Sequence, residues 1–249
     1  MWVAVFVLCA IRLSVSVAQE TEPFLWGVAT AAYQIEGAVD VDGRGPSIWD
    51  TFSKIPGKIS NNENGDLADL SYYNVKEDIQ LVKRMGLNAY RFSISWSRIL
   101  PLGNGEVNQK GIDHYNFMID ELIKEGIEPL VTLYHWDLPQ ALEDEHDGWL
   151  DTAIVSDFAN YADVCFANFG DRVKKWATLN EPWTICLQGY MTGAFAPGRC
   201  SDRSKCEKGD SSREGYVAAH NMLLSHGAAV KVYRDKYQGS QNGLIGRGV

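Results

Sequence analysis

"VKKWATLNEPW", residues 173–183, sets the frame for the chain. Val173, Trp176, Thr178 and Leu179 make a short β-prone run, Asn180 and Glu181 follow it directly, and Pro182 stops it. A short apolar run bounded by a turn signal reads as a buried strand. A strand ending on an amide and a carboxyl is the pattern of a parallel sheet whose C-terminal edge carries a site.

Three more runs of this kind precede it. "FLWGVATAAY" (24–33) is short, apolar and rich in small residues. "NAYRFSISW" (88–96) sets Tyr90, Phe92, Ile94 and Trp96 on one side and Arg91, Ser93 and Ser95 on the other. "EPLVTLYHW" (128–136) completes the set. Between them the spacing predicts helices. Over 69–86 the stripe is Val75, Ile79 and Val82; over 108–126 it is Ile112, Tyr115, Ile119, Leu122 and Ile123. Over 152–170 it is Phe158, Tyr161, Ala162, Cys165 and Phe169; over 213–237 it is Val217, Leu224, Ala228 and Val232. Gly86, Gly126 and Gly170 stand where the first three helices should stop. The repeated order is strand then helix, so the class is α/β with parallel strands and helical crossovers.

Such a sheet is either doubly wound or a (β/α)8 barrel. No glycine-rich phosphate fingerprint follows any strand; "DVDGRGPS" (40–47) has the glycines without the register, which speaks against a nucleotide. The polar residues are more telling. Gln34, Ser97 and Arg98, His135 and Asp137, and Asn180 and Glu181 all fall at or just past the C-terminal ends of the four strands. One such end would be an ordinary structural polar residue; four predict a shared pocket on the active face of a barrel.

Composition narrows the partners. The 249 residues are 45% hydrophobic, enough for a sizeable core, with a formal net charge of -9 and no Lys/Arg run longer than two. That excludes nucleic acid and anionic membrane surfaces as natural partners. Eight Trp and eleven Tyr exceed what a core of this size needs and suit the flat apolar faces of sugar rings. Residues 1–18, "MWVAVFVLCAIRLSVSVA", read as a secretory signal, with Ser16 and Ala18 placed for cleavage. Arg12 leaves too short an apolar run for a membrane span. Secretion would remove Cys9 and leave Cys165, Cys186, Cys200 and Cys206. Cys165 reads as a buried thiol on an apolar helix face. Cys200 and Cys206 lie in a polar loop that could close a disulfide ring or, less readily because no His is near, bind zinc.

The chemistry expected of the site follows from residue type. A carboxyl at a strand end, held by Pro182 and Trp183, would be partly desolvated, raising its pKa and making it a proton donor near neutral pH. Asn180 suits a substrate hydroxyl, His135 and Gln34 could add bonds to a polyhydroxylated ring, and Trp136 and Trp183 could border its apolar face.

Taken together, these blocks resemble glycoside hydrolase family 1, the β-glucosidase, lactase-like and myrosinase group. "FLWGVATAAYQIEGA", "YRFSISWSRI", "YHWDLPQAL", "TLNEPW", "GAFAPGR" and "HNMLLSHGAAVKVYR" are similar to the family's blocks, in order, over residues 24 to about 245. The resemblance implies a TIM (β/α)8 barrel, of which residues 19–249 hold the N-terminal half: about four βα units and a stub of the fifth strand at "NGLIGRGV". It implies that Glu181 is the acid/base of a retaining β-glycosidase and that Asn180 bonds the sugar 2-hydroxyl. Gln34, His135 and Trp136 match positions that hold the glycone ring, and Arg91 an arginine that contacts the nucleophile carboxylate. It favours a Cys200–Cys206 disulfide and implies no metal or organic cofactor. Substrates would be small β-glycosides or oligosaccharides of glucose or galactose configuration. They would be O-linked, since the acid/base is Glu and not the Gln of thioglucosidases.

Retaining cleavage needs a second carboxylate about 5–5.5 Å from the first. The family carries it in an E-N-G motif that this sequence lacks, and neither Asp137 nor Glu36 matches a nucleophile position. The chain is thus expected to have no meaningful turnover alone and to self-associate through open sheet edges. The alternative function is a non-catalytic secreted remnant that binds sugar, like the klotho branch of the family.

Overall fold

The computed structural model describes residues 24–247, so the expected leader at 1–18 and Cys9 lie outside the described residues. The first strand, β1 (Gly27–Ala29), is followed by two short helices, α1 (Ala32–Ile35) and α2 (Ile48–Ser53), and then by α3 (Ser71–Arg84). Next come β2 (Ala89–Ser93), the single turn α4 (Trp96–Ile99) and α5 (Gln109–Lys124). The third unit is β3 (Glu128–Tyr134), α6 (Gln140–His146) and α7 (Ala153–Phe169). The fourth is β4 (Lys175–Leu179), α8 (Pro182–Tyr190) and α9 (Glu214–Val232), which runs through a π-helical turn into α10 (Gln238–Gln241); β5 (Leu244–Gly246) closes the series.

The strands form one sheet in the order β1-β2-β3-β4-β5, every pair parallel. The register places Arg91, Leu130, Lys175 and Leu244 in one row, and Ser93, Thr132, Ala177 and Gly246 in the next. Arg91 Nε donates to Thr132 Oγ1 at 2.9 Å, so these rows share a face. The opposite face carries the helices. Phe92 stacks on Tyr115 of α5, Trp176 meets Phe166 of α7 edge-on, and Thr178 Oγ1 bonds His226 Nδ1 of α9 at 2.8 Å. The core lies between sheet and helices and includes Trp96, Trp149, Phe158, Tyr161 and Phe169, all fully buried. Successive parallel βα units with helices on one side are the winding of a TIM barrel, present here over five strands.

The strands are shorter than their sequence runs. Thr30 N still donates to the Arg91 carbonyl, but Ala32 N turns to the Ser93 hydroxyl, and the chain coils into α1. The alternation over 88–96 likewise ends at Ser93: Ser95 N donates to the Tyr115 hydroxyl, and Trp96 opens α4. Ser93 and Ser95, placed on the polar side in the sequence reading, are both buried: the Ser93 hydroxyl accepts from Ala32 N, whereas the Ser95 hydroxyl has no partner among the described residues. The short helices α1, α2, α4, α6 and α8 all follow strand C-terminal ends and build the rim of one end of the sheet.

Arg98 is a correction to the expected rim. It is fully buried, with Nε and Nη2 donating to Glu36 Oε2 at 3.1 and 3.0 Å, while the Tyr115 hydroxyl donates to Glu36 Oε1 at 2.5 Å. Burial alone would raise the Glu36 carboxyl; Arg98, His114 and Tyr115 outweigh it and hold Glu36 below the ordinary range. A buried ion pair is tolerable only with this saturation of its remaining lone pairs. The clamp joins α1 to α4 and α5. Gly111 makes the last contact possible, since a Cβ there would sit 2.1 Å from the Arg98 carbonyl oxygen.

A second polar clamp holds the loop after α8. Cys200 and Cys206 are joined in a disulfide, and Cys165 and Cys186 are buried thiols. Beside the disulfide, Arg199 grips Glu214 with Nε and Nη2 (2.9 and 2.7 Å) and Asp147 with Nη1 (2.8 Å), and Lys208 Nζ reaches Asp147 at 2.7 Å. Glu143 lies beneath, 3.7 Å from Arg199 and 3.5 Å from Lys208. Burial pushes its carboxyl up to about 7, against the pull of both cations.

Candidate active site

The site is built at the C-terminal ends of β3 and β4. Asn180 is buried, and its side chain is fixed from two sides. Arg91 Nη2 donates to Oδ1 at 2.6 Å, and Nδ2 faces His135 Nε2 at 3.1 Å, a contact that makes Nε2 the acceptor. Burial, helped by the Arg91 charge, pushes the His135 pKa down to about 4, so the ring is neutral at physiological pH. With Nε2 accepting, its proton sits on Nδ1, which is buried and has no protein partner. The Trp136 indole donates to the Asn180 carbonyl at 3.0 Å, tying the end of β3 to the end of β4.

Two residues here hold left-handed backbone: Trp136 at φ 76° and Glu181 at φ 41°. Residues with a Cβ rarely accept this conformation, and it costs on the order of 1–3 kcal/mol at each position. At Glu181 it turns the chain from β4 straight into α8, with Pro182 in the first helical turn. The side chain is then held by Thr184, whose hydroxyl donates to Glu181 Oε2 at 3.0 Å. Arg91 sits within electrostatic range; its own pKa is lowered by burial and raised by Glu181.

The structure thus brings Arg91, His135, Trp136, Asn180 and Glu181 together. Gln34 is exposed on α1 beyond the end of β1, and no hydrogen bond links it to the other five among the described residues. Cys200 and Cys206 stand apart, in the loop after α8. The expected desolvation of Glu181 does not occur: the residue is exposed, because nothing among the described residues lies across the open face of the five-stranded sheet. Asp137 is buried with neither carboxyl oxygen hydrogen-bonded to protein, and burial raises its pKa well above the carboxylate range. Asp137 and Glu36 are both sequestered from the face that Glu181 occupies. Among the described residues no three His, Cys, Asp or Glu side chains converge as a metal site, and no helix is long and apolar enough to cross a membrane.

Sequence reasoning missed two neighbours. Thr184 was legible in principle, as the third helical residue after a capping position that ends in a carboxyl. Phe195 was not. Its ring packs at 5.6 Å from Trp136 and 5.5 Å from Trp49, which continues to Tyr33 at 5.8 Å. This aromatic ridge joins α1, α2 and the loops after β3 and α8.

The chain that carries this arrangement has clear relatives among known proteins. The model for Glycosyl hydrolase family 1 matches residues 18–248. Beta-glucosidase 24 of Oryza sativa subsp. japonica is 58% identical over 233 residues, 92% of this chain and 46% of its own length. Beta-glucosidase 14 of Arabidopsis thaliana is 56% identical over 90% of this chain and 47% of its own. The crystal structure of a rice β-glucosidase superposes with a TM-score of 0.90 at 58% identity, covering 91% of this chain and 48% of that one. A family 1 β-glucosidase from the fungus Humicola insolens, solved with glucose, gives 0.89 at 55% identity, over 90% of this chain and 47% of that one. The chain therefore spans about half the length of the relatives it matches, their N-terminal half, and it belongs to glycosyl hydrolase family 1.

Proposed function

We propose that this chain carries the proton-transfer half of a retaining β-glucosidase site, with Glu181 as acid/base. The observation that carries the reading is the left-handed turn at Glu181. It projects the carboxyl from the end of β4 beside Asn180, whose orientation is fixed by Arg91 and His135. In this scheme Glu181 gives its proton to the glycosidic oxygen as the bond to the anomeric carbon breaks, and a second carboxylate bonds that carbon. Water then attacks, Glu181 takes its proton, and the sugar is released. Asn180 bonds the 2-hydroxyl, His135 and Gln34 bond further ring hydroxyls, and Trp136 borders the apolar face. The Cys200–Cys206 disulfide supports a secreted setting.

Neither Asp137 nor Glu36 is free to be the second carboxylate, so the 249-residue chain alone should not turn over an aryl β-glucoside. In a chain continued to the length of its relatives, Glu181→Gln should cut hydrolysis of an alkyl β-glucoside by roughly 10²–10⁴-fold. The loss should be much smaller for a nitrophenyl β-glucoside, whose leaving group needs no proton. Equal losses for both substrates would remove Glu181 from the acid role. The sugar-binding alternative would be favoured if the continued chain bound glucose but hydrolysed neither substrate.

A further inference from the structure

The aromatic ridge at the site ends on a cation. From Trp136, tied to the Asn180 carbonyl, it passes to Phe195 and Trp49 and then to Phe52, which meets Trp49 edge-on at 5.6 Å. The Lys58 ammonium lies 5.5 Å over the Phe52 ring. Trp136, Phe195 and Trp49 are half-buried, so each keeps part of its ring surface open. Beside Phe195, between the turn after α2 and the loop after α8, opens a cavity of about 710 Å³, a size that takes a small organic ligand. Lys58, Lys205, Gln188, Thr192 and Ser204 give it polar walls, and no acidic side chain lines it among the described residues.

Its two cations are held in place without strong partners. Lys58 Nζ donates to the Lys205 carbonyl at 2.6 Å, and no carboxylate pairs with it among the described residues, so N–H groups remain for a ligand. Lys205 sits in a turn set by Asp202, whose carbonyl accepts from Lys205 N at 3.0 Å and whose Oδ1 accepts from Ser204 N at 3.0 Å. The Lys205 ammonium meets Asp202 Oδ2 at 3.3 Å in a pair exposed on both sides, weak enough to yield to a better anion. The cavity also stands in a fixed relation to the acid/base. Thr184 and Gln188 follow Glu181 at three- and four-residue steps on one side of α8, which puts Gln188 about 10 Å along the helix from Glu181.

We propose that this cavity takes the carboxylate of an aromatic acid aglycone, which makes β-glucosides of phenolic acids the preferred substrates. The inference rests on the acid/base reading of Glu181, which fixes where the glycosidic oxygen lies. With that oxygen at Glu181, an extended aglycone leaves the sugar along Trp136 and Phe195 and brings its far end to Lys58 and Lys205. The ridge accepts flat rings whatever their charge. Two ammonium groups, on a chain whose net charge of -9 otherwise repels acids, supply the discrimination.

The test is the binding of para-hydroxycinnamate and of its uncharged methyl ester to the 249-residue chain, each followed by NMR titration. The acid should bind roughly tenfold more tightly than the ester, and added salt should close the gap, since screening weakens exposed charge pairs. Lys58→Met with Lys205→Met should bring the acid down to the ester, leaving the ester's affinity and the circular dichroism unchanged. Phe195→Leu should weaken both probes alike. Equal affinities in the parent chain, no binding of the acid, a preference that survives the loss of both lysines, or indifference of both probes to Phe195→Leu would each overturn the proposal. Glu181→Gln separates the two readings, because binding moves no proton. If the acid preference persists while Glu181 proves dispensable for hydrolysis in the continued chain, the anion cavity stands and the acid/base reading falls. Loss of alkyl β-glucoside turnover on Glu181→Gln, with no preference for the acid, would do the reverse.

Discussion

Glu181 and Glu143 show how little a carboxyl's name says about its state. Both are glutamates near helix ends, yet Glu181 is exposed and bonded to a hydroxyl, whereas Glu143 is buried beneath Arg199 and Lys208 with no hydrogen bond of its own. The Glu143 pKa is raised from 4.5 to about 7 by burial. A raised pKa on an acid means that the folded chain holds its proton longer than the unfolded one. The stability it contributes is therefore present below pH 4.5 and lost as pH rises toward 7. Glu143→Gln removes that loss. Its denaturation midpoint should match the parent at pH 4.5 and exceed it at pH 8; a difference that does not change with pH would show that the carboxyl is not titrating in the folded chain. Asn180 and Glu181 were legible at the residue scale, because a polar pair after a β-prone run has few structural uses. The exposure of Glu181 was not, since it depends on what lies across the sheet, which no local window contains.

Elements were legible where their period is long enough to repeat. The helices α3, α5 and α7 each span at least three turns and show their stripes, and the sequence reading placed their ends within about two residues. On α9 the expected stripe of Val217, Leu224, Ala228 and Val232 is not the buried face, which carries Ala218, Asn221, Met222, Ser225 and Ala229, and the α-helix gives way to a π-helical turn after Val232, five residues before the expected end. The rim helices α1, α2, α4, α6 and α8 have four to nine residues and no stripe to read. The same shortness hid the end of β1, where Ala and Thr suit strand and helix alike. Contacts between elements set two expectations. Gly111→Ala gains about 1 kcal/mol of helix propensity. It also drives a methyl group into the Arg98 carbonyl, a clash worth roughly 1–3 kcal/mol or more. The net effect on urea denaturation should be destabilising, and a stabilised variant would mean that α5 can slide off α4. In the loop after α8, the disulfide closes a ring of seven residues, counted from Cys200 through Cys206. Replacing both cysteines by serine should cost about 2 kcal/mol by the chain-entropy estimate. Because Arg199 still holds Glu214 and Asp147, the loop should keep its place, readable as unchanged protease sensitivity near Lys208.

The molecule as a whole is a succession of units whose finishing contacts reach forward along the chain. Ala32 of the first unit hangs from the Ser93 hydroxyl, and Glu36 closes on Arg98 and Tyr115, so the segment bearing Gln34 is completed by partners 61 to 79 positions downstream. Nothing in β1 or α1 alone fixes that segment, which is why its shape was the least readable part of the sequence. Polypeptides ending before Gln109 should therefore leave the Tyr33–Ala38 stretch open to chymotrypsin, and polypeptides extending past Lys124 should protect it. Protection in the shorter set would show that local sequence suffices. On the ribosome the same wiring acts as a delay line. A growing chain emerges at roughly 5–20 residues per second, so the first unit waits several seconds, unfinished and in need of shelter, until the tyrosine that completes it leaves the exit tunnel.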